Sequence, residues 1–446
     1  MNTKKIGLLI LLSFAAVNLF AQNNIDLELD LNTSLKIAMD NNPNIKIAEL
    51  EIQRVDYSRK EAIGALLPSV NAQGSYTDNV MKQVMFMPES FAALMGGQRF
   101  MEMGYKNSYT GAISAQLPLV NFTIWQNLKN KQTEIDLIIE KTRASKIEMR
   151  KQVKDAYFAL LLTKSSLNVL EKSYTNALET LKNIENSYKQ GVVSEYDYIR
   201  AQVSVNNLNP TLINARNSLD LAKMQLKMIL SLPSNINIIV NEELDTYSNK
   251  IHSVNTLDIN NALVENTELK QMDLNIISLR NQLKLINTQH LPSLTATGNY
   301  IYQTQSEDFK FKDYHWVSSA SIGLNLNIPL FAGMTKINQA KQVKISINAL
   351  ELQKDYLKEG MSLSVQAAVN SMNAAKEQLI ANKDAIKQAQ RGYEIAKVRY
   401  EVGTGTLLEL NDSELSMTQS NLNYQQSLYN YLSAQANLEK VMGVIE

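Results

Sequence analysis

Arg399-Tyr-Glu-Val-Gly-Thr-Gly-Thr-Leu-Leu-Glu-Leu-Asn-Asp412 is the stretch on which the fold turns. About seventy residues of helix-like sequence run into Gly403 and Gly405, and a second helical run follows, so the stretch predicts the tip of a helical hairpin. Ser187-Tyr-Lys-Gln-Gly-Val-Val-Ser-Glu-Tyr-Asp-Tyr198 repeats it 212 positions earlier, placing Tyr188 under Tyr400, Gly191 under Gly403 and Asp197 under Glu409. The chain of 446 residues therefore reads as a doubled unit.

Outward from each tip the helices are unusually long. Residues 122–190 contain neither glycine nor proline, which leaves room for a helix of 69 residues, ~100 Å at 1.5 Å per residue. Val153, Tyr157, Leu160, Lys164, Leu167, Leu170, Tyr174, Ala177, Leu181, Ile184 and Tyr188 step by threes and fours, as a coiled-coil seam does. The return helix, 194–230, alternates large and small residues; Pro210 inside it predicts a kink or a junction of two shorter helices. The second long helix, 334–402, repeats the seam from Val365 to Tyr400, including a lysine, Lys376, under Lys164, and its return helix spans 406–443. Both lysines read as helix-face residues reaching for water, with a lumen-lining selectivity role as the other reading.

Each half also holds a pair of alternating stretches, about 69–79 with 106–118 and about 293–304 with 316–329, entered at Leu67-Pro-Ser and Leu291-Pro-Ser and closed at Pro118 and Pro329. Period-two alternation predicts strands. A helix-like stretch, broken at Asn41-Asn-Pro43, precedes the first pair. The halves are thus a first repeat over 22–230 and a second over 257–446, joined by a mixed segment at 231–256.

Lys and Arg total 44 against 44 Asp and Glu, which gives no basic field for nucleic acid. Lys4 and Lys5, an apolar run from Ile6 to Phe20 and Ala21 form a secretory signal over residues 1–21. Its removal leaves 42 basic and 44 acidic residues. The chain has no cysteine, so an exported form is held by packing or assembly. No later apolar run reaches the ~20 residues of a spanning helix, so any return to a membrane is through strands.

Strands of ten to thirteen residues fit the ~9–11 of a tilted membrane strand. Four strands cannot close a barrel, since closed single-chain barrels begin at about eight; three copies would supply about twelve. The fold class is thus an α+β membrane protein, with four transmembrane strands per chain completing a trimeric barrel and long coiled-coil helices continuing it as a periplasmic helical barrel. These features, and above all the doubled tip, resemble the TolC family of outer-membrane efflux channels across essentially the whole mature chain. The resemblance implies a homotrimer in outer-membrane lipid, with a tunnel gated at its periplasmic tip. It also implies docking to a periplasmic adaptor protein and an inner-membrane pump, with no catalytic role and no cofactor. It places the acidic residues that narrow the entrance on Glu409 and Asp412, and the acidic and tyrosine residues that hold the tip closed on Asp197 and Tyr400. The turns Gly191-Val192 and Gly403-Thr404-Gly405 become the adaptor-docking tips. The family's cross-tip arginine falls on Gly405, so that partner is missing, and Arg399 is not taken to replace it.

Three copies of Glu409 and Asp412 would set a ring of carboxylates around one opening, attracting cations. Methionines 81, 85, 87, 95, 101 and 103 crowd the first loop. Thioethers suit Cu(I), but the favoured reading is an apolar loop over the barrel mouth and no metal site. His252, His290 and His315 are isolated, and no catalytic or phosphate motif is present. The function expected is the exit duct of a tripartite efflux or type I secretion system; the alternative is a trimeric outer-membrane scaffold or adhesin without a transport role.

Overall fold

The computed structural model describes residues 25–90, 96, 99–250 and 263–443. The expected signal segment lies outside these residues. In chain order the elements are β1 (Ile25–Glu28), α1 (Leu31–Asn41), α2 (Pro43–Gly64), β2 (Ser69–Asp78), β3 (Gln83–Phe86), β4 (Phe100–Met103) and β5 (Asn107–Val120). The long helix α3 (Phe122–Lys189), its return α4 (Glu195–Leu230) and β6 (Ile236–Ile239) follow. Then come α5 (Thr267–Thr288), β7 (Ser293–Ser306), β8 (Val317–Asn327), α6 (Thr335–Glu401) and α7 (Leu407–Val441). They fall into two compact units, one of the described parts of Met1–Glu51, Ile139–Met272 and Lys354–Glu446, the other of Ile52–Ile138 and Asp273–Gln353.

The second unit is built on an antiparallel sheet in the order β2-β5-β7-β8. Its register keeps one side apolar over most of its length, giving way at one end to Asp78, Asn107, Thr304 and Ser306. Val70 faces Ala115, Ala115 faces Gly298 and Gly298 faces Ile322, while Leu294 pairs with Leu326 and Ala296 with Leu324. The alternate residues, Asn71, Ser114, Asn299 and Ser321, form an equally continuous polar row. Every residue of β2 and β8 is exposed, and Ile322 is 94% and Leu324 70% exposed. An aromatic cluster closes one end, with Tyr76 stacked on Tyr109 at 5.0 Å and Tyr302 on Trp316 at 4.9 Å. These contacts pack aromatic rings across neighbouring strands. The loop between β2 and β5 is not featureless: β3 and β4 form a separate two-stranded hairpin. At the other end of the sheet, α5 packs on the first turns of α6 through Ile286, Val343 and Ile347.

The first unit holds the main core. Val153, Tyr157, Leu160 and Leu161 of α3 meet Leu226 and Leu230 of α4, Met372 and Leu379 of α6, and Leu428 and Tyr431 of α7. Stepping by threes and fours brings these residues onto the packed side of each helix. Two features of this unit differ from the sequence reading. Pro210 lies inside an unbroken α4, so it marks no junction of two helices. Lys164 is partly buried and is engaged by the chain itself: its Nζ donates to the Val240 carbonyl at 2.7 Å and the Glu242 carbonyl at 3.2 Å. It pins the connecting segment, where Glu242 also accepts from the hydroxyls of Tyr157 at 2.6 Å and Tyr247 at 2.7 Å. The same segment supplies β6, which pairs in parallel with β1 from Ile25↔Ile236 to Glu28↔Ile239. Lys376, half-buried, makes no such bond among the described residues.

Candidate gate at the paired hairpin tips

Both tips solve the reversal in the same way. Gly191 and Gly403 adopt φ of +74° and +75°, a region that side chains with a Cβ rarely occupy. The amide of Gly403 donates to the Tyr400 carbonyl at 3.0 Å and that of Thr404 to the Arg399 carbonyl at 2.9 Å. In the first tip Gly191 donates to Tyr188 and Val192 to Ser187, each at 2.9 Å. These paired bonds cap the orphan carbonyls of α3 and α6. Ser194 and Thr406 then start the return helices, each hydroxyl accepting from the amide three residues on, that of Asp197 or Glu409, at 3.2 Å.

The positions carried over from the family resemblance land in distinct environments. Glu409 is exposed and closes a capping box, its Oε2 accepting from the Thr406 amide at 3.4 Å. The same Oε2 lies 3.7 Å from Nη2 of Arg399. Arg399 thus pairs within its own hairpin, and it also donates to the Thr404 carbonyl at 3.3 Å. Asp412, one turn further along α7, is exposed and has no ion pair among the described residues. Asp197 accepts from the Ser194 hydroxyl at 2.7 Å. Tyr400 packs with Ile184, Ala201, Leu407, Val193 and Tyr198, a cluster that ties the two hairpins together. Burial and then the nearby Asp197 carboxylate push its hydroxyl above the usual tyrosine value, so it stays protonated. Tyr188, stacked on Tyr198 at 5.2 Å, completes the aromatic side of the tip.

Gly405 has a steric reason to be glycine. A Cβ there would sit 3.1 Å from both Arg399 Cβ and the Tyr400 amide nitrogen. A side chain at 405, where the resemblance places the family's arginine, would therefore crowd the turn that aims Arg399 at Glu409. Beneath the tip, Glu414 of α7 is buried, and its Oε1 meets no donor among the described residues. Burial raises its carboxyl above the usual range, opposed by Asn176 and the charge of Lys397. The sequence reading missed Glu414, because a helix carboxylate ordinarily points to water. A cleft of about 550 Å³ runs beside it, lined by Asn176, Glu179, Tyr393, Lys397, Tyr400 and Leu410 among others. Among the described residues no cluster of histidine, cysteine and carboxylate side chains suits a metal ion, and no helix is long and apolar enough to cross a membrane.

Comparison with known proteins agrees with this geometry. The model of the outer membrane efflux protein family matches residues 35–231 and 259–444. The outer membrane protein TolC of Vibrio cholerae is 22% identical over 414 residues, 92% of this chain and 89% of that protein. A probable efflux pump outer membrane protein of Pseudomonas putida, SepC, is 21% identical over 349 residues, 77% of this chain and 70% of its own. Among solved structures, the open state of the Neisseria gonorrhoeae MtrE outer membrane channel superposes with a TM-score of 0.70 at 17% identity, covering 93% of this chain and 88% of that one. The sheet, the long helical hairpins and these matches converge: the chain belongs to the outer membrane efflux protein family, TolC-like channels of the outer membrane that are not enzymes.

Proposed function

We propose that this protein is the passive outer-membrane exit duct of a tripartite efflux or type I secretion system. Each repeat, 22–230 and 257–446, contributes two strands, and three copies close a barrel of twelve strands and a tunnel of twelve long helices. The observation that carries this reading is the sheet: one face apolar and exposed, the other polar, and both edges, β2 and β8, unpaired. An apolar face of that extent belongs in lipid, and an open edge needs another strand. Neighbouring copies of the chain supply that strand at each edge.

In this duct the tips gate the tunnel. Glu409 and Asp412 set the charge at the opening, Asp197 and Tyr400 hold neighbouring hairpins together, and the turns at Gly191-Val192 and Gly403-Thr404-Gly405 dock a periplasmic adaptor. An inner-membrane pump supplies the energy. With Glu409 already paired to Arg399, Asp412 carries the larger share of the uncompensated charge. Single-channel conductance in planar bilayers tests the assignment. Wild-type protein gives cation-preferring steps, and Asp412→Ala loses more of that preference than Glu409→Ala. A folded trimer without conductance would remove the duct; conductance indifferent to both substitutions would remove the gate assignment alone.

A further inference from the structure

The methionines of the first loop acquire an order in the structure that the sequence does not display. In the β3–β4 hairpin Met85 lies directly opposite Met101, and Gln83 opposite Met103. The Met87 amide donates to the Arg99 carbonyl at 3.0 Å, which carries the same register one pair further. Side chains alternate along a strand, so Met85, Met87, Met101 and Met103 share one face. Val84, Phe86, Phe100 and Glu102 occupy the other. A cover made only of apolar bulk needs no such sorting, and β-branched or aromatic residues would suit the strands better than methionine.

We propose that this face is a thioether site for a soft monovalent cation, Cu(I) or its analogue Ag(I). Directly opposed side chains in an antiparallel pair have Cβ atoms ~4.5–5.5 Å apart and diagonal neighbours somewhat further, so the flexible Met85 and Met101 chains converge, with Met103 and Met87 flanking them. Met85, Met101 and Met103 are 50%, 40% and 43% exposed, open to an arriving ion. The two strands themselves place no carboxylate on this face; its one charged residue, Arg99, is engaged by Glu89 at 2.7 Å, which takes up the carboxylate beside it. A site whose donors are mainly thioethers favours Cu(I) over Ca²⁺ or Mg²⁺. The hairpin is also fastened: Lys82 pairs with Glu307 at 2.7 Å and the Asn79 side chain donates to the Tyr105 carbonyl at 2.8 Å.

The test is a competition for Cu(I), kept reduced by ascorbate, between bicinchoninate and the full-length detergent-solubilised protein. Wild type withdraws a single Cu(I) per chain. The doubly substituted Met85→Leu, Met101→Leu protein, which preserves apolar volume, loses that withdrawal, and Met81→Leu retains it. X-ray absorption of the wild-type complex shows sulfur neighbours around copper. Absence of withdrawal by wild type, equal withdrawal by the double variant, or a copper shell of oxygen and nitrogen only would overturn the proposal. Because the sulfur shell is read on the unaltered protein, a variant that folds poorly does not decide the matter.

Discussion

The assignment of the apolar sheet face to lipid yields a prediction with opposite outcomes at adjacent residues. Ile322 is the sixth of eleven residues in β8 and is 94% exposed. Its five neighbours on either side span ~17 Å of strand at ~3.3 Å each, so an arginine placed there cannot bring its guanidinium to either interface without deforming the bilayer. The residues around it on that face are Ala320, Leu324, Gly298, Ala296 and Tyr300, none of them an anion. Arginine at the midplane of a membrane strand costs about 2–4 kcal/mol. That corresponds to a ~30- to ~1,000-fold change in the folding equilibrium of each chain. Ser321→Arg moves the same charge to the polar row and costs under ~1 kcal/mol, while shifting ion selectivity towards anions. The assay is folding into phospholipid vesicles across a urea series, followed by the fluorescence of Trp125 and Trp316, with conductance measured on the folded product. Equal penalties at the two positions, or a larger one at Ser321, would refute the face assignment and the barrel built on it.

Other consequences concern the tip. Gly405→Ala and Gly405→Arg both force a Cβ against Arg399 and Tyr400, an overpacking cost of about 1–3 kcal/mol. Hydrogen exchange at Thr404 and Gly405 is expected to accelerate ~10-fold or more, so restoring the arginine loosens this tip; slowed exchange in Gly405→Arg would contradict the steric account. Thr406→Ala removes a cap worth about 1 kcal/mol, whereas Arg399→Ala removes an exposed pair worth under ~1 kcal/mol, so exchange at the Glu409 amide responds more to the first. Glu414 gives a pH signature. Its native carboxyl titrates above the ordinary value of 4.5, so the folded state binds the proton more tightly, and stability falls as pH rises from 4.5 through the raised value. Glu414→Gln abolishes that fall and stabilises the protein at neutral pH; thermal midpoints from pH 4 to pH 8 that are parallel in the two proteins would sink the assignment.

What could be read from the sequence follows from how local the causes are. The long helices were legible because α3 contains no glycine or proline, and the strands because Val70 to Tyr76 and Leu294 to Tyr302 alternate over enough residues to show a period. β1 and β6 were not, because each has four residues and its partner lies about 211 positions away. The β3–β4 hairpin hid for the same reason of length. Single side chains were harder still. Lys164 finds its carbonyls in a segment some seventy-six residues distant, and Glu414 is buried only because α3 and α6 close around it. Alignment to a family motif placed the tip arginine at 405, yet the turn brings Arg399 to Glu409 across ten residues, a relation that spacing along one helix face does not contain.

The two tips share the physics of their backbone reversal and differ in the side chains around it. Gly191 and Gly403, the paired carbonyl-capping amides, and the hydroxyl caps Ser194 and Thr406 are equivalent, and the second tip adds a bond from the Gly405 amide to the Arg399 carbonyl at 2.9 Å. The side chains around that reversal differ. Ser187 stands where the second tip has Arg399, Val193 where it has Gly405, and Arg200 where it has Asp412. The first tip therefore has no internal cation for Asp197, whose carboxylate is satisfied by Ser194, and it presents Arg200 where the second presents an acid. Packing equivalent helices side by side requires only the shared backbone and the apolar cluster of Ile184, Ala201 and Leu407. The charges differ: in the proposed trimer, tips bearing Arg200 alternate with tips bearing Asp412, so the acid of the opening stands on one kind of tip only.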